Sequence, residues 1–242
     1  MVLRIIFIFF IAFIPLLSAK QVGLLIVATG KYIKFVPGLI KSAEKHFCPG
    51  HQVTFFVFTD DLNFSHPNTF IMPHSRLGWP YDTLMRFHAY KKYKDQYKDF
   101  DYLYACDADM LFVDTVGDEI FGNRMAVIHP GFYNSRGSYE TNPKSLAYVG
   151  PKEGKYYFCG GFYGGKASVV LKQLDVLIAR VDQDLKNKII AVWHDESHLN
   201  RYYINNPPDV ILNPSYCYPE SWNLPFPKKL LALDKPHEEM RE

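Results

Sequence analysis

Two carboxylates two residues apart, Asp107 and Asp109, follow an apolar run in "YACDADM" (104–110). On an extended strand residues i and i+2 point to one side, so the pair can converge on a single hard cation at the strand's end. The same pair can also open a solvated turn, because Asp commonly closes a strand. A cation held by two carboxylates can neutralise a departing diphosphate, which is Lewis-acid chemistry. Such chemistry calls for basic groups near the phosphates and an acidic group near the transferred unit. "VWHDESH" (192–198) gathers Trp193, His194, Asp195, Glu196 and His198. An indole can stack on the apolar face of a sugar, and Glu196 can sit beneath a reacting carbon or orient a hydroxyl. His194 and His198, four apart, read as helix-surface residues or as two metal ligands lacking a third. "YYFCGGFYGG" (156–165) carries four glycines, which suit either a close backbone approach to a ligand or a tight turn between strands. Neither GxGxxG nor GxxxxGK[ST] occurs, so a nucleotide must be held in another way.

The elements that must position these groups follow an alternating pattern. "VGLLIVA" (22–28), "VTFFVFT" (53–59) and "DYLYACD" (101–107) have the β-branched and aromatic density of buried strands. Between the first two, "KFVPGLIKSAEKHF" supplies a helix in its later half, with Pro37 near its start. Between the second and third, residues 82–98 place apolar and aromatic side chains at helical spacing among lysines. Strand, helix, strand, helix, strand predicts an α/β fold with a mostly parallel sheet. Ligands in such sheets sit beyond the carboxyl ends of the strands, which is where Asp107 and Asp109 fall.

The 242 residues fit one large domain or a compact two-lobed one, and a formal charge of +2 does not mark a nucleic-acid binder. Cys48, Cys106, Cys159 and Cys217 are too dispersed for a CxxC metal site or a small disulfide framework and read as buried thiols. Residues 1–20 hold one Arg, then 13 apolar residues from Ile5 to Leu17, then small residues. A membrane span needs about 20 apolar residues and a signal h-region about 7 to 15, so length favours a signal peptide. A short membrane-associated anchor and an apolar first strand remain open, as does a cytoplasmic location if the segment is not a targeting one. "NFS" at Asn63–Ser65 is an N-glycosylation sequon, relevant only in a eukaryotic secretory pathway.

"DYLYACDADMLF", "IHPGFY" (128–133), "YYFCGGFYGG" and "AVWHDESHLNRYY" (191–203), in that order, resemble the signature of glycosyltransferase family 6, which includes the histo-blood-group transferases and the alpha-1,3-galactosyltransferases. The similarity runs from about Val22 to Arg241. It implies a GT-A fold with a mixed, mostly parallel sheet, a catalytic domain over 21–242 and a donor-covering tail from about 228. The activity implied is Mn2+-dependent, retaining transfer from UDP-galactose or UDP-N-acetylgalactosamine to O3 of a β-galactoside glycan, in the Golgi if the host is eukaryotic. Noncatalytic carbohydrate binding and a secreted structural or interaction domain are the rival readings.

The resemblance also assigns roles. Asp107 and Asp109 match the pair that binds manganese and the UDP moiety. Val27, Thr29 and Tyr32 match the uridine pocket, Val27 and Thr29 being changed, and Arg86 matches the arginine that contacts the donor sugar and Asp107. Lys235 and Arg241 match basic phosphate contacts in the tail, with His237 between them. Glu196 matches the group beneath the anomeric carbon, as nucleophile or as stabiliser of a cationic sugar, and as a contact for the acceptor hydroxyl. Asp195 matches a donor-sugar contact. On the acceptor side stand His129, Ser138, Tyr139 and Trp193, with Glu220 the nearest substitute for the family's acidic acceptor residue. Cys159, Gly160 and Gly161 lie where the family reads the donor's C2 substituent, and glycine at 161 predicts UDP-N-acetylgalactosamine, since no Cβ obstructs an acetamido group.

Overall fold

The computed structural model describes residues 18–241, apart from the side chains of His237 and Arg241. Seven strands form the main sheet: β1 (Gln21–Val27), β2 (Gln52–Thr59), β3 (Thr69–Pro73), β4 (Tyr102–Cys106), β6 (Met125–Ile128), β7 (Phe158–Lys166) and β8 (Val210–Leu212). They lie in the order β3-β2-β1-β4-β7-β6-β8. Neighbours from β3 to β4 are parallel, as are β6 and β8. Strand β7 runs antiparallel to both β4 and β6. The sheet is therefore mixed and mostly parallel, as expected of an α/β fold.

Strict alternation explains why these segments extend. Leu24, Ile26, Phe55, Val57, Tyr104 and Cys106 face one core, while Leu25, Phe56, Phe58, Leu103 and Ala105 face the other. Strands buried on both faces need helices on both. The first face is covered by α1 (Val36–His46) through Leu39, Ile40 and Ala43, with Pro37 in its first turn as the sequence predicts. The second is covered by α3 (Arg86–Lys92), α4 (Ala167–Lys186) and α5 (His194–Asn205).

Two expectations are refined. The helical stretch at 82–98 is broken into α2 (Tyr81–Leu84), α3 and a 3₁₀ turn at Lys94–Gln96. Met85 leaves helical geometry at φ −94°, ψ 8°, and the break presents Arg86 at the first position of α3. The glycine-rich stretch is a strand, not a turn: Gly164 is demanded by its contact with the Leu103 carbonyl of β4, and Gly165 by its φ of +143° and the Asn123 carbonyl beside it.

A second, three-stranded sheet joins β5 (Met110–Phe112), β9 (Tyr218–Pro219) and β10 (Leu230–Ala232) in the order β5-β10-β9. It ties the C-terminal tail, which ends in the short helix α6 (His237–Arg241), to the segment just after Asp109. Residues 1–17, which hold the expected signal or anchor segment, lie outside the described residues. No described helix is long and apolar enough to cross a membrane.

Candidate active site

The chain leaves β4 at Cys106 and enters β5 at Met110, and the three residues between turn beyond the sheet's edge. Asp107 N–H donates to the Gly161 carbonyl at 2.9 Å, which fixes this turn against β7. Asp109 is buried, at 4% exposure, and the side chain of Asp107 is 37% exposed. Burying a carboxylate is costly unless a cation meets it. Here the Lys235 ammonium ion-pairs with Asp109 Oδ2.

Arg86 joins three segments. Its Nη1 donates to Asp107 Oδ1 at 2.9 Å and to the Gly160 carbonyl at 3.1 Å, while its Nε lies 3.1 Å from Asp195 Oδ2. Burial opposes its charge, but Asp195 and Asp107 outweigh that and hold the guanidinium firmly protonated. For Asp195 burial dominates instead and pushes the carboxyl up to about 6, although Arg86 pulls it down.

Helix α5 sets the neighbouring groups by its own periodicity. Glu196 accepts from Tyr157 Oη at 2.7 Å through Oε1 and from Gly160 N–H at 2.7 Å through Oε2. One turn on, the Asn200 amide brackets both backbone groups of Phe158 at 2.8 Å, so β7 cannot shift relative to Glu196. Burial raises the Glu196 carboxyl to about 7; its two hydrogen bonds oppose the rise, and Asp195 and Asp107 add to it. Helix entry bends at His194, whose φ of +49° is unusual for a residue with a side chain.

A cleft of about 220 Å³ opens in front of the carboxylates. The structure brings Val27, Thr29, Tyr32, Arg86, Asp107, Asp109 and Lys235 to its walls, seven residues from four separate parts of the sequence. The sequence reading missed Arg76, Trp79, Asp82, Thr83 and Met240, which with Ala108 complete the lining. Trp79 is half exposed, its ring 5.1 Å from that of His194, and Asp82 ties the Leu77 amide to this wall at 2.7 Å. The signal lay in "SRLGWPYD", a Gly-Trp-Pro loop immediately before a helix. Met240 follows from the tail, which Lys31 holds by donating to the Glu239 carbonyl at 2.6 Å.

Gly160 and Gly161 alternate sides. A Cβ built on Gly160 would lie 3.5 Å from Asp195 Oδ2 and Glu196 Oε2, and one on Gly161 would lie 3.4 Å from Asp107 Oδ2 and 3.5 Å from Cys217 Sγ. Cys159 is buried in the core beneath them, in the same apolar cluster as Cys217.

Among the residues expected on the acceptor side, Trp193 is half exposed and its Nε1 donates to Ser138 Oγ at 2.8 Å. The His129 ring lies 5.7 Å from that of Tyr157, the partner of Glu196. Burial lowers the His129 pKa to about 4. Tyr139 is turned inward: at 4% exposure it donates to the Tyr156 carbonyl at 2.6 Å and packs on Tyr157. Glu220 faces the tail, where Oε2 accepts from Asp234 N–H at 3.0 Å. None of these five expected acceptor residues lines the cleft, nor do Cys159, Gly160, Gly161, Asp195 and Glu196, the last two being tied to it through Arg86 and Gly160; the side chain of Arg241 lies outside the described residues.

The paired carboxylates offer hard oxygen donors suited to a divalent cation. Among the described residues no third His, Cys, Asp or Glu joins them. Such a set leaves positions for phosphate oxygens and water, and the Lys235 ammonium on Asp109 already stands as a cation on one of the two.

A family model described as "Glycosyltransferase family 6" matches residues 16–241. The histo-blood group ABO system transferase 1 of Rattus norvegicus is 35% identical over 243 residues, covering 93% of this chain and 70% of that protein. The globoside alpha-1,3-N-acetylgalactosaminyltransferase 1 of Gallus gallus is 31% identical over 246 residues, covering 95% and 71%. The O-antigen biosynthesis glycosyltransferase WbnI of Escherichia coli is 29% identical over 225 residues, covering 90% and 96%.

Proposed function

This chain belongs to glycosyltransferase family 6, and we propose that it moves N-acetylgalactosamine from UDP-N-acetylgalactosamine to O3 of an acceptor β-galactoside, with retention at the anomeric carbon. The acceptor class includes 2-fucosylated galactosides. The observation that carries the reading is the convergence on Arg86 of Asp107, the Gly160 carbonyl and Asp195, with Lys235 against Asp109. This arrangement sets cationic groups and paired carboxylates beside the backbone of Gly160, whose N–H holds Glu196.

Asp107 and Asp109 would hold Mn2+, which when bound supplies Lewis-acid neutralisation of the leaving diphosphate. The chain's own residues do the rest. Val27 and Tyr32 wall the uridine end of the cleft. The Lys235 ammonium is placed to transfer from Asp109 to a phosphate oxygen, and the tail that carries it excludes water from the donor. Asp195, kept in place by Arg86, orients donor-sugar hydroxyls. Glu196, fixed by Tyr157 and Gly160, presents a carboxylate to the developing positive charge at the anomeric carbon. Trp193 and His129 receive the acceptor galactose.

Donor choice rests on Gly161. With no side chain between the Gly161 backbone and Asp107 Oδ2, an acetamido group has room that a methyl would fill. The name of the Gallus gallus relative points the same way. UDP-galactose is the second reading, favoured by the small Cys159 side chain, which leaves the pocket permissive. The apolar run 5–17 supports action in a secretory or exported compartment.

The test is an assay with both UDP sugars, with and without Mn2+, on plain and 2-fucosylated galactosides, followed by linkage analysis. The expected product is an α-1,3-linked N-acetylgalactosamine formed only with the metal. A clear preference for UDP-galactose would overturn the donor assignment, full activity in a chelator would overturn the metal, and no transfer at all would remove the enzymatic reading.

A further inference from the structure

Glu140 lies outside the cleft, and the residue is buried, at 6% exposure. One oxygen, Oε2, accepts from Val192 N–H at 2.7 Å, and the other accepts from Asn142 N–H at 2.7 Å. Its own carbonyl accepts from Val149 N–H at 2.9 Å, so the residue is pinned from three sides. Two residues before it, Ser138 accepts from the Trp193 indole at 2.8 Å. The segment 138–142 thus clasps the segment 192–193 twice, once by a buried carboxylate on the backbone and once by a hydroxyl on the ring.

This clasp sits beside a strained bend. His194 has φ +49°, and the bend that contains it opens the helix bearing Asp195 and Glu196. A residue with a Cβ holds such a conformation only where the surroundings impose it. Val192 N–H is held by Glu140 on one side and Trp193 N–H by Ser197 Oγ at 3.0 Å on the other. Trp193 and Val192 are themselves about half exposed, so packing does little to fix them, and the hydrogen bonds must.

Resting on the transferase reading, we infer that Glu140 is a positioning residue for the acceptor: through Val192 it sets the pose of the Trp193 ring that receives the galactose. Its effect falls on the acceptor side of the bend, because beyond the bend Asp195 is held by Arg86 and Glu196 by Tyr157 and Gly160, independently of Val192.

The test uses the full chain with Glu140→Gln, whose single amide oxygen cannot serve both N–H groups, and Glu140→Asp, which keeps the charge and shortens the reach. Both are expected to raise acceptor KM about tenfold or more. Donor KM, kcat at saturating acceptor and hydrolysis of the UDP sugar without acceptor should stay within about twofold. Amide exchange over 190–193 should quicken, while exchange in β4 and β7 stays unchanged. Unaltered acceptor KM in the folded variants would overturn the inference, as would a parallel fall in kcat and donor affinity, which marks a general structural role. If the wild-type chain transfers no sugar, the transferase reading fails by itself. Galactoside affinity by calorimetry, together with exchange at Val192, then decides whether Glu140 sets the Trp193 platform: no change in either overturns it.

Discussion

Glu196 is buried enough that its carboxyl ionises only near pH 7. A carboxyl with a raised pKa is protonated below that value and charged above it. If the charge is what steadies the reacting sugar, the transfer rate climbs as pH rises toward about 7 and then levels. Glu196→Gln should remove that step and lower kcat about 10²- to 10³-fold, the usual scale for losing one preorganised electrostatic group. A pH–rate profile of the two proteins checks both points, and near-native transfer by the variant would show that no charge is needed. At the other decisive residue, Gly161→Ala adds a methyl at ordinary contact distance from Asp107 and Cys217, so the fold should survive while the donor ratio moves toward UDP-galactose. Competition between the two UDP sugars measures this directly, and an unchanged ratio would mean that another feature reads C2. The carboxylates themselves were legible from their position after β4, although they sit in the turn beyond that strand and not on it, so strand alternation is not what brings them together. Tyr139 and Glu220 were not, since sequence says which residue stands in a loop but not which backbone group its side chain finds; Tyr139 found the Tyr156 carbonyl and Glu220 the Asp234 amide.

At the scale of elements, the tail is positioned by strand pairing. Ala232 pairs with Met110, and Leu233 N–H donates to the Asp109 carbonyl at 2.9 Å. Two residues later Lys235 reaches back to the carboxylate of the same Asp109, with Glu220 holding the intervening Asp234 amide. Removing residues from Lys235 onward should therefore weaken donor binding and turnover while leaving the sheet intact. Isothermal titration with UDP and thermal unfolding separate the two effects, and unchanged donor affinity would deny the tail its role. Glu220→Ala should give a milder form of the same defect with acceptor KM unaffected; the opposite pattern would return Glu220 to the acceptor cleft. Strands β1, β2 and β4 and helix α1 could be read from periodicity and from Pro37. β3 could not, because "TFIMP" is short, lies at a sheet edge and has an exposed Phe70. The split at Met85 was also hidden: the apolar spacing continues across it, and only the pull of three partners on Arg86 reveals why the chain turns there.

For the whole molecule, buried histidines set a limit on the acid side. His198 is almost wholly buried at 1% exposure, and burial lowers its pKa to about 4, with nearby Asp184 opposing. The folded state therefore binds its proton less readily than the unfolded chain, whose histidine titrates near 6.5. Its contribution to stability is complete above that value and is lost as pH falls toward 4. Asp195 and Glu196 slope the other way, since their raised values favour the protonated form and withdraw stability as pH rises. A difference measurement isolates the histidine: the Tm advantage of wild type over His198→Leu should shrink between pH 6.5 and 4, and a constant difference would refute this account. The reversed direction of β7 has a larger consequence. Its beginning, not its end, lies beside the ends of β4 and β6, because Cys106 pairs with Phe162 and Ile128 with Phe158, whereas Lys166 pairs with Tyr102 at the far edge. The candidate residues Asp107, Gly160 and Gly161 are thereby gathered at one rim of the sheet, with Lys166 and Tyr102 at the other. A fluorophore, tether or inserted module placed in the exposed stretch at Lys98–Asp99 would ride on the rim opposite the candidate site, and transfer activity should be unchanged by it.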